Sequence, residues 1–345
     1  MSNFTVIIPF YQKIDGILRR GLSSVFAQSY QNFEIVIVDD ASPHPIMEEL
    51  APLSQSQRDR IRVIHQKNSG PGGARNTGLT HIGDNSQYIA FLDSDDTWHE
   101  DHLKNAIATM QRFEADCYWA SISGGEGFEF HFSIQGLEQR EKVQRLQDTP
   151  LVLEVPDMAG LMFKQGEFLY LSQFLHLSTM VIGRSLAAKV QFEAHLRLAA
   201  EDVLFFSDCV LAAKRVALCG ADGAQRGEGM NIFHSIDASS PVYLKQQFDM
   251  CLAQNILVEK FAKRSALLTA IRDSKETVRR HALWSQVGRI KRGQMPQLGL
   301  LAQWVVKDPK LLLTLISLTV SKLRPSRSTE AVRASDQTSP IQEQL

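Results

Sequence analysis

The sequence predicts an α/β fold: a mainly parallel, doubly wound sheet, a second part that mixes strands and helices, and a helical C-terminal extension. Three observations predict it. Four short runs rich in β-branched and aromatic residues, Thr5 to Pro9, Ile35 to Val38, Ile61 to Ile64 and Tyr88 to Leu92, crowd into the first third of the chain and alternate with helical patterns. The first, second and fourth are nearly unbroken apolar runs, the mark of strands buried on both faces. Composition allows a folded body of this size. The 345 residues are 44% hydrophobic and 22% charged, which excludes disordered, collagen-like and disulfide-scaffold classes.

The elements follow in order. After the first strand, Ile14, Ile17, Leu18, Leu22, Val25 and Phe26 recur at helical spacing. The order βαβαβαβ places helices on both faces of the sheet and a ligand site beyond the carboxyl ends of its strands. Beyond Asp116 the pattern loosens. Phe128, Phe130, Phe132 and Ile134 alternate with polar residues as in a half-buried strand, Leu137 to Asp148 reads as a charged helix, and Ser178 to Ile182 as another strand. Glu201 opens an apolar helical run, Pro241 to about Leu323 is mostly helical, and a tail rich in Ser, Thr, Gln and Pro follows from Arg324.

The strand ends carry Pro9-Phe10-Tyr11, Asp39-Asp40, Lys67 to Asn76 and Asp93-Ser94-Asp95-Asp96. Carboxylates crowded on the last of these turns repel one another unless a cation or hydrogen-bond donors compensate, and Mg²⁺ or Mn²⁺ is the natural oxygen-binding cation. A solvated turn would use the same residues. It is not an EF-hand loop, since Trp98 stands where glycine and Lys104 where glutamate are required. The stretch Ser69 to Gly78 reads as a flexible glycine-rich loop entering a helix, where backbone N–H groups and Arg75 suit a diphosphate or a base carbonyl. Leu79 occupies the Walker lysine position, so this is no P-loop, and the dinucleotide GxGxxG spacing also fails. Asp39-Asp40 can accept hydrogen bonds from a base or ribose. Three such elements at neighbouring strand ends converge on one crevice.

Taken together, Val6 to Tyr11, Ile37 to Ser42, Gly70 to Gly78, Phe91 to Asp96 and Ala200-Glu201-Asp202 resemble, in order, the motifs of a family 2 glycosyltransferase with the GT-A fold, whose nucleotide-binding sheet is Rossmann-like. The resemblance spans about residues 4 to 235. It implies an inverting transfer of a sugar, with glucose one candidate, from a nucleotide-diphosphate donor, most commonly UDP-linked in the family, with Mn²⁺ or Mg²⁺. It implies that Asp39 meets the base, Arg75 the base or diphosphate, Asp93 the ribose side and Asp95 the metal. Candidate donor contacts are Pro9, Tyr11, Asp39, Asp40, Lys67, Arg75, Asp93 and Ser94; Asp96 and Trp98 are candidate acceptor contacts. Asp202 is the expected catalytic base, with Glu201 binding or orienting the acceptor. His234 is the expected late histidine of the metal shell, while His176 and His195 are read as structural. The closest subgroup resemblance, to succinoglycan-type exopolysaccharide glucosyltransferases, rests on Ile8 to Gln12 and Asn231 to Ser235 and implies a lipid-linked oligosaccharide acceptor. The alternatives are a sugar nucleotidyltransferase, whose glycine-rich signature after the first strand is missing, and a non-catalytic membrane-surface assembly protein.

The expected divisions are a nucleotide-sugar half at 1–115, an acceptor half at 116–235, a basic helical region at 236–325 and a disordered tail at 326–345. Charge supports the third division. Lys and Arg total 37 against 38 acids, a net −1, yet residues 260 to 327 hold fifteen Lys and Arg and only Asp273, Glu276 and Asp308, a local +12. Apolar stretches bordered by cations fit an anionic membrane surface. No nucleic-acid motif accompanies this charge. Four cysteines without paired spacing and the lack of a recognisable signal segment predict a cytoplasmic protein, peripheral on the inner membrane face.

Overall fold

The computed structural model describes residues 3–124, 151–154, 175–227, 236–262 and 265–323. The expected strand at 128–134, the helix at 137–148, His234 and the tail lie outside the described residues. The first half runs β1 (Phe4–Phe10), α1 (Ile17–Phe26), β2 (Phe33–Asp39), α2 (Ile46–Leu50), α3 (Gln55–Arg58), β3 (Ile61–His65), α4 (Gly70–Leu79) and β4 (Tyr88–Phe91). Strands β3, β2, β1 and β4 lie side by side in that order and all pair in parallel, as the alternation predicts. Their pleat sends Val6 and Ile8 into one core with Leu18 and Leu22 of α1, and Ile7 into the other with Phe91. This is why the runs show no polar alternation: both faces of the sheet are covered.

Beyond β4 the sheet becomes mixed. The elements are β5 (Thr97–Trp98), α5 (His102–Phe113), β6 (Cys117–Ser123), β7 (Leu151–Glu154), β8 (Val181–Gly183), α6 (Arg184–Ala187), α7 (Glu201–Ala212) and β9 (Arg215–Gln225). The order continues β4-β8-β6-β9-β5, with β8 antiparallel to both neighbours and β6 parallel to β9. The expected strand at 178–182 is shorter, because Leu177–Thr179 first forms a 3₁₀ turn.

Four helices complete the described chain: α8 (Tyr243–Lys260), α9 (Ser265–Lys291), α10 (Leu298–Lys307) and α11 (Lys310–Leu323). Helix α8 works on two sides. Its Ala253 and Leu257, followed by Phe261, join the same core as Trp119 and Phe206, while Leu244, Phe248 and Cys251 pack with Val278, Leu283, Trp304 and Leu311. A buried ion pair ties the C-terminal helices together: Arg279 Nε and Nη2 donate to the two oxygens of Asp308 at 2.8 and 3.1 Å. Among the described residues no helix is long and apolar enough to cross a membrane.

Candidate active site

The acid turn follows β4, and neighbouring segments press on it closely. Asp96 is buried, and each of its oxygens has a partner: Ser178 Oγ donates to one at 2.6 Å and the Gly227 N–H to the other at 2.9 Å. Gly227 cannot be replaced freely, because a β-carbon there would lie 1.6 Å from the Asp95 carbonyl oxygen. Ser178 also accepts from the Asp93 N–H at 3.0 Å, and its carbonyl accepts from Trp98 Nε1 at 2.6 Å. Asp96 and the 5% exposed Trp98 therefore build the turn from within. The indole fills a core, and both carboxylate oxygens of Asp96 accept hydrogen bonds from within the protein.

Arg75 sits at the centre. Its guanidinium, 4% exposed, reaches Asp93 Oδ1 at 2.5 Å with one nitrogen and Glu201 Oε1 at 3.5 Å with the other. Residues from α4, the acid turn and α7 thus meet in one place. Burial by itself would raise the Asp93 carboxyl, but Arg75, with His176 and Arg226 behind it, brings it below its ordinary value. For its neighbours burial outweighs whatever partners they have. Burial first, then the charges of Asp96 and Asp93, push Asp95 up to about 7; burial and Asp93 push Asp96 to about 7; burial and Asp202 push Glu201 to about 7. Asp202 is raised as well, chiefly by burial.

Such a set of carboxylates fits a hard divalent cation, which would neutralise the charge that burial disfavours. Asp93, Asp96 and His176 each offer a ligand atom within 4.8 Å of the others. The Asp96 oxygens are already taken, however, whereas Asp95, half-buried at the same turn, bonds no other side chain among the described residues. A second cluster, Asp15, His44 and Glu49, has a different explanation: the Glu49 oxygens accept the N–H groups of Gly16 and Arg19 at 2.6 and 2.8 Å and so cap α1.

The glycine-rich stretch differs from its reading as a flexible loop. It is helical from Gly70 onward, and the N–H groups of Ser69 and Gly70 donate to Asp40 at 2.7 and 2.9 Å. Asp40 is 3% exposed and accepts also from Gln66 Nε2 at 2.7 Å. Its carboxylate thus fills the anion position of that helix start. Asp39 has different partners, accepting from the Ser42 N–H at 2.8 Å and pairing with His65 Nδ1 at 3.0 Å. Pro9 lies within β1, half-buried Tyr11 just beyond it, exposed Lys67 just beyond β3, and buried Ser94 accepts from Gln12 Nε2 at 3.0 Å. These residues share the carboxyl rim with the acid turn.

Sequence reasoning missed three groups. His176, read as structural, lies 3.7 Å from Asp96, and its Nδ1 accepts the Ser178 N–H at 3.2 Å. Ser178 braces the turn, and the charge of Arg226 acts on Asp93 and Asp96. No local spacing marks them, because they enter from the mixed half of the sheet. His195 is exposed and pairs with Glu193 at 3.3 Å.

A half-parallel α/β sheet with acids, an arginine and a helix-opening acid pair at its carboxyl rim makes the fold broadly GT-A-like. Residues 5–165 match the family described as Glycosyl transferase family 2. The chain is 55% identical to the succinoglycan biosynthesis protein ExoW of Rhizobium meliloti over 94% of its own length and 99% of that protein's. It is 31% identical to the amylovoran biosynthesis glycosyltransferase AmsB of Erwinia amylovora, over 55% and 58% of the two chains. Among solved structures, S. aureus TarS 1-349 in complex with UDP-GlcNAc superposes with a TM-score of 0.53 at 21% identity, covering 75% of this chain and 67% of that one, a likeness of fold. The chain belongs to glycosyl transferase family 2 and is a glycosyltransferase, which sets aside the nucleotidyltransferase and non-catalytic alternatives.

Proposed function

We propose that this enzyme moves a sugar, with inversion, from a UDP-linked donor to a hydroxyl of a lipid-linked oligosaccharide during assembly of a bacterial surface polysaccharide. The observation that carries the reading is the bridge of Arg75 between Asp93 of the acid turn and Glu201 at the start of α7. It sets a candidate proton acceptor beside candidate donor-binding acids. The names of the relatives, two of them polysaccharide biosynthesis proteins, and the UDP-GlcNAc held by the TarS structure support pathway and donor class.

In this mechanism an acceptor hydroxyl attacks the anomeric carbon from the side opposite the diphosphate. Asp202 takes its proton, the bond from the anomeric carbon to the phosphate oxygen breaks, and nucleoside diphosphate leaves with the electron pair. Asp202 opens a helix, but burial raises its pKa, as suits a base that must also hold a proton. Glu201, tied to Arg75, orients that helix start. Asp95 is the metal ligand; Mn²⁺ or Mg²⁺ there would neutralise the departing diphosphate. Arg75 and Asp93 orient the donor, while Pro9, Tyr11, Asp39, Lys67 and Ser94 line its nucleotide end. Residues 1–115 form the donor half, 116–235 the acceptor half, and 236–325 a helical region whose outer apolar face rests on anionic lipid.

Release of UDP from UDP-glucose in the presence of Mn²⁺ and a lipid-linked acceptor fraction tests the reading. Asp95→Asn should lower turnover by on the order of 100-fold or more and weaken Mn²⁺ binding measured by titration calorimetry. Asp202→Asn should lower turnover comparably and leave UDP affinity in place. Equal Mn²⁺ affinity in the Asp95 variant would overturn the metal assignment.

A further inference from the structure

The start of α7 is held from the donor half by a contact that belongs to none of the roles above. Asn76, on α4, bonds the backbone of Phe192 with both ends of its amide: Nδ2 donates to the Phe192 carbonyl at 2.8 Å, and the Phe192 N–H donates to Oδ1 at 2.7 Å. A side chain thus does what a neighbouring strand would do for one residue, across 116 positions of sequence. The Phe192 ring is stacked on Phe205 of α7 with centroids 3.7 Å apart and meets Phe91 of β4 edge-on at 5.9 Å. The Arg75 guanidinium lies 5.4 Å from the centre of the same ring.

The segment that follows Phe192 leads directly into the acid pair. It passes over the first turn of α4, where a β-carbon on Gly72 would meet Phe192 Cβ at 3.2 Å and Glu201 Cγ at 3.4 Å. Ala200 then takes a left-handed conformation, φ 67°, and Glu201-Asp202 open α7. Strain of this kind at a non-glycine residue persists only where surrounding contacts hold it. Those contacts are the Asn76 clamp, the Phe192–Phe205 stack and the Arg75–Glu201 pair.

We infer that Asn76 is a positioning residue for Asp202: by clamping Phe192 it fixes where the helix bearing the proton acceptor begins relative to the donor acids. The inference rests on the reading of Asp202 as base. The register of α7 against α4 then sets the distance between acceptor hydroxyl and anomeric carbon, and small displacements there are costly, on the order of 100-fold in rate for about 1 Å.

The experiment uses the full chain with UDP-glucose, Mn²⁺ and the lipid-linked acceptor fraction. Asn76→Ala should lower kcat by on the order of 10- to 100-fold while UDP affinity by calorimetry stays within about twofold. Asn76→Asp keeps the volume and the acceptor for the Phe192 N–H but sets an oxygen against the Phe192 carbonyl. It should show the same split and serves if the alanine variant does not fold. In an Asp202→Asn background the Asn76 substitution should add less than about twofold, since the group it positions is gone. Wild-type kcat in both Asn76 variants, a parallel loss of UDP affinity, or a fully additive loss in the double variant would overturn the inference. An active Asp202→Asn enzyme would instead overturn the base assignment, so the two failures are distinguishable.

Discussion

Asp39 and Asp40 are adjacent, identical in type and equally plausible nucleotide contacts in the sequence, yet they do different work. Asp39 ends β2 and stays at the rim, whereas Asp40 is drawn under the start of α4 by three donors, among them Ser69 and Gly70. Contacts thirty residues apart in the chain decide this, and no local pattern carries them. The same holds for Asp95 and Asp96, whose residue types were legible and whose orientations were not. Their carboxyls, with that of Glu201, are pushed up to about 7. A carboxyl raised in the folded state contributes stability below its unfolded pKa and loses that contribution as pH rises through the folded value. The window for Asp95 therefore runs from 3.8 to about 7. A divalent cation binds the deprotonated form, so the rise in Tm on adding Mn²⁺ should be larger at pH 8 than at pH 5. Equal gains at both pH values would separate the metal from these acids.

At the scale of elements, the helix between β1 and β2 was legible from its apolar spacing, but its beginning was not. The pattern starts at Ile14, which is 61% exposed, and the helix starts at Ile17. No side chain of its own caps it. Glu49, fully buried on α2, supplies the acceptors for Gly16 and Arg19, a service that the N-terminal turn of a helix requires from somewhere. Glu49→Ala should lower unfolding free energy by about 1–3 kcal/mol, read from urea denaturation, while leaving UDP affinity unchanged. A variant as stable as the parent would show that water satisfies those groups equally well. Glycine disfavours an isolated helix, so local sequence points to a loop at the start of the glycine-rich stretch; close packing against Phe192, Glu201 and Ile7 accompanies its helical form.

For the molecule as a whole, α11 is apolar on two sides. Leu311 and Thr314 face the helical cluster, while Leu312, Leu313, Leu315 and Ile316 face outward, Leu313 at 63% and Ile316 at 58% exposure. Exposed Lys307 and Lys310 border this face. Exposed apolar side chains near cations are what the proposed docking on an anionic bilayer requires. Replacing Leu312 and Ile316 together by glutamate should reduce co-sedimentation with phosphatidylglycerol-containing vesicles several-fold and leave Tm within about 2 °C, since neither side chain is in the core. Unchanged sedimentation would refute a lipid-facing role for this helix. What the sequence by itself determined is the parallel half of the sheet, the helical C-terminal region and the identity of the acids at the rim, because hydrophobic period and strand-end chemistry are local properties. Only the tertiary structure decided which partners each acid takes, how the mixed half of the sheet is ordered, and that α8 fastens the C-terminal helices to the core of the sheet. Those outcomes depend on contacts between residues up to more than a hundred positions apart, where burial and hydrogen-bond satisfaction are settled jointly and not residue by residue.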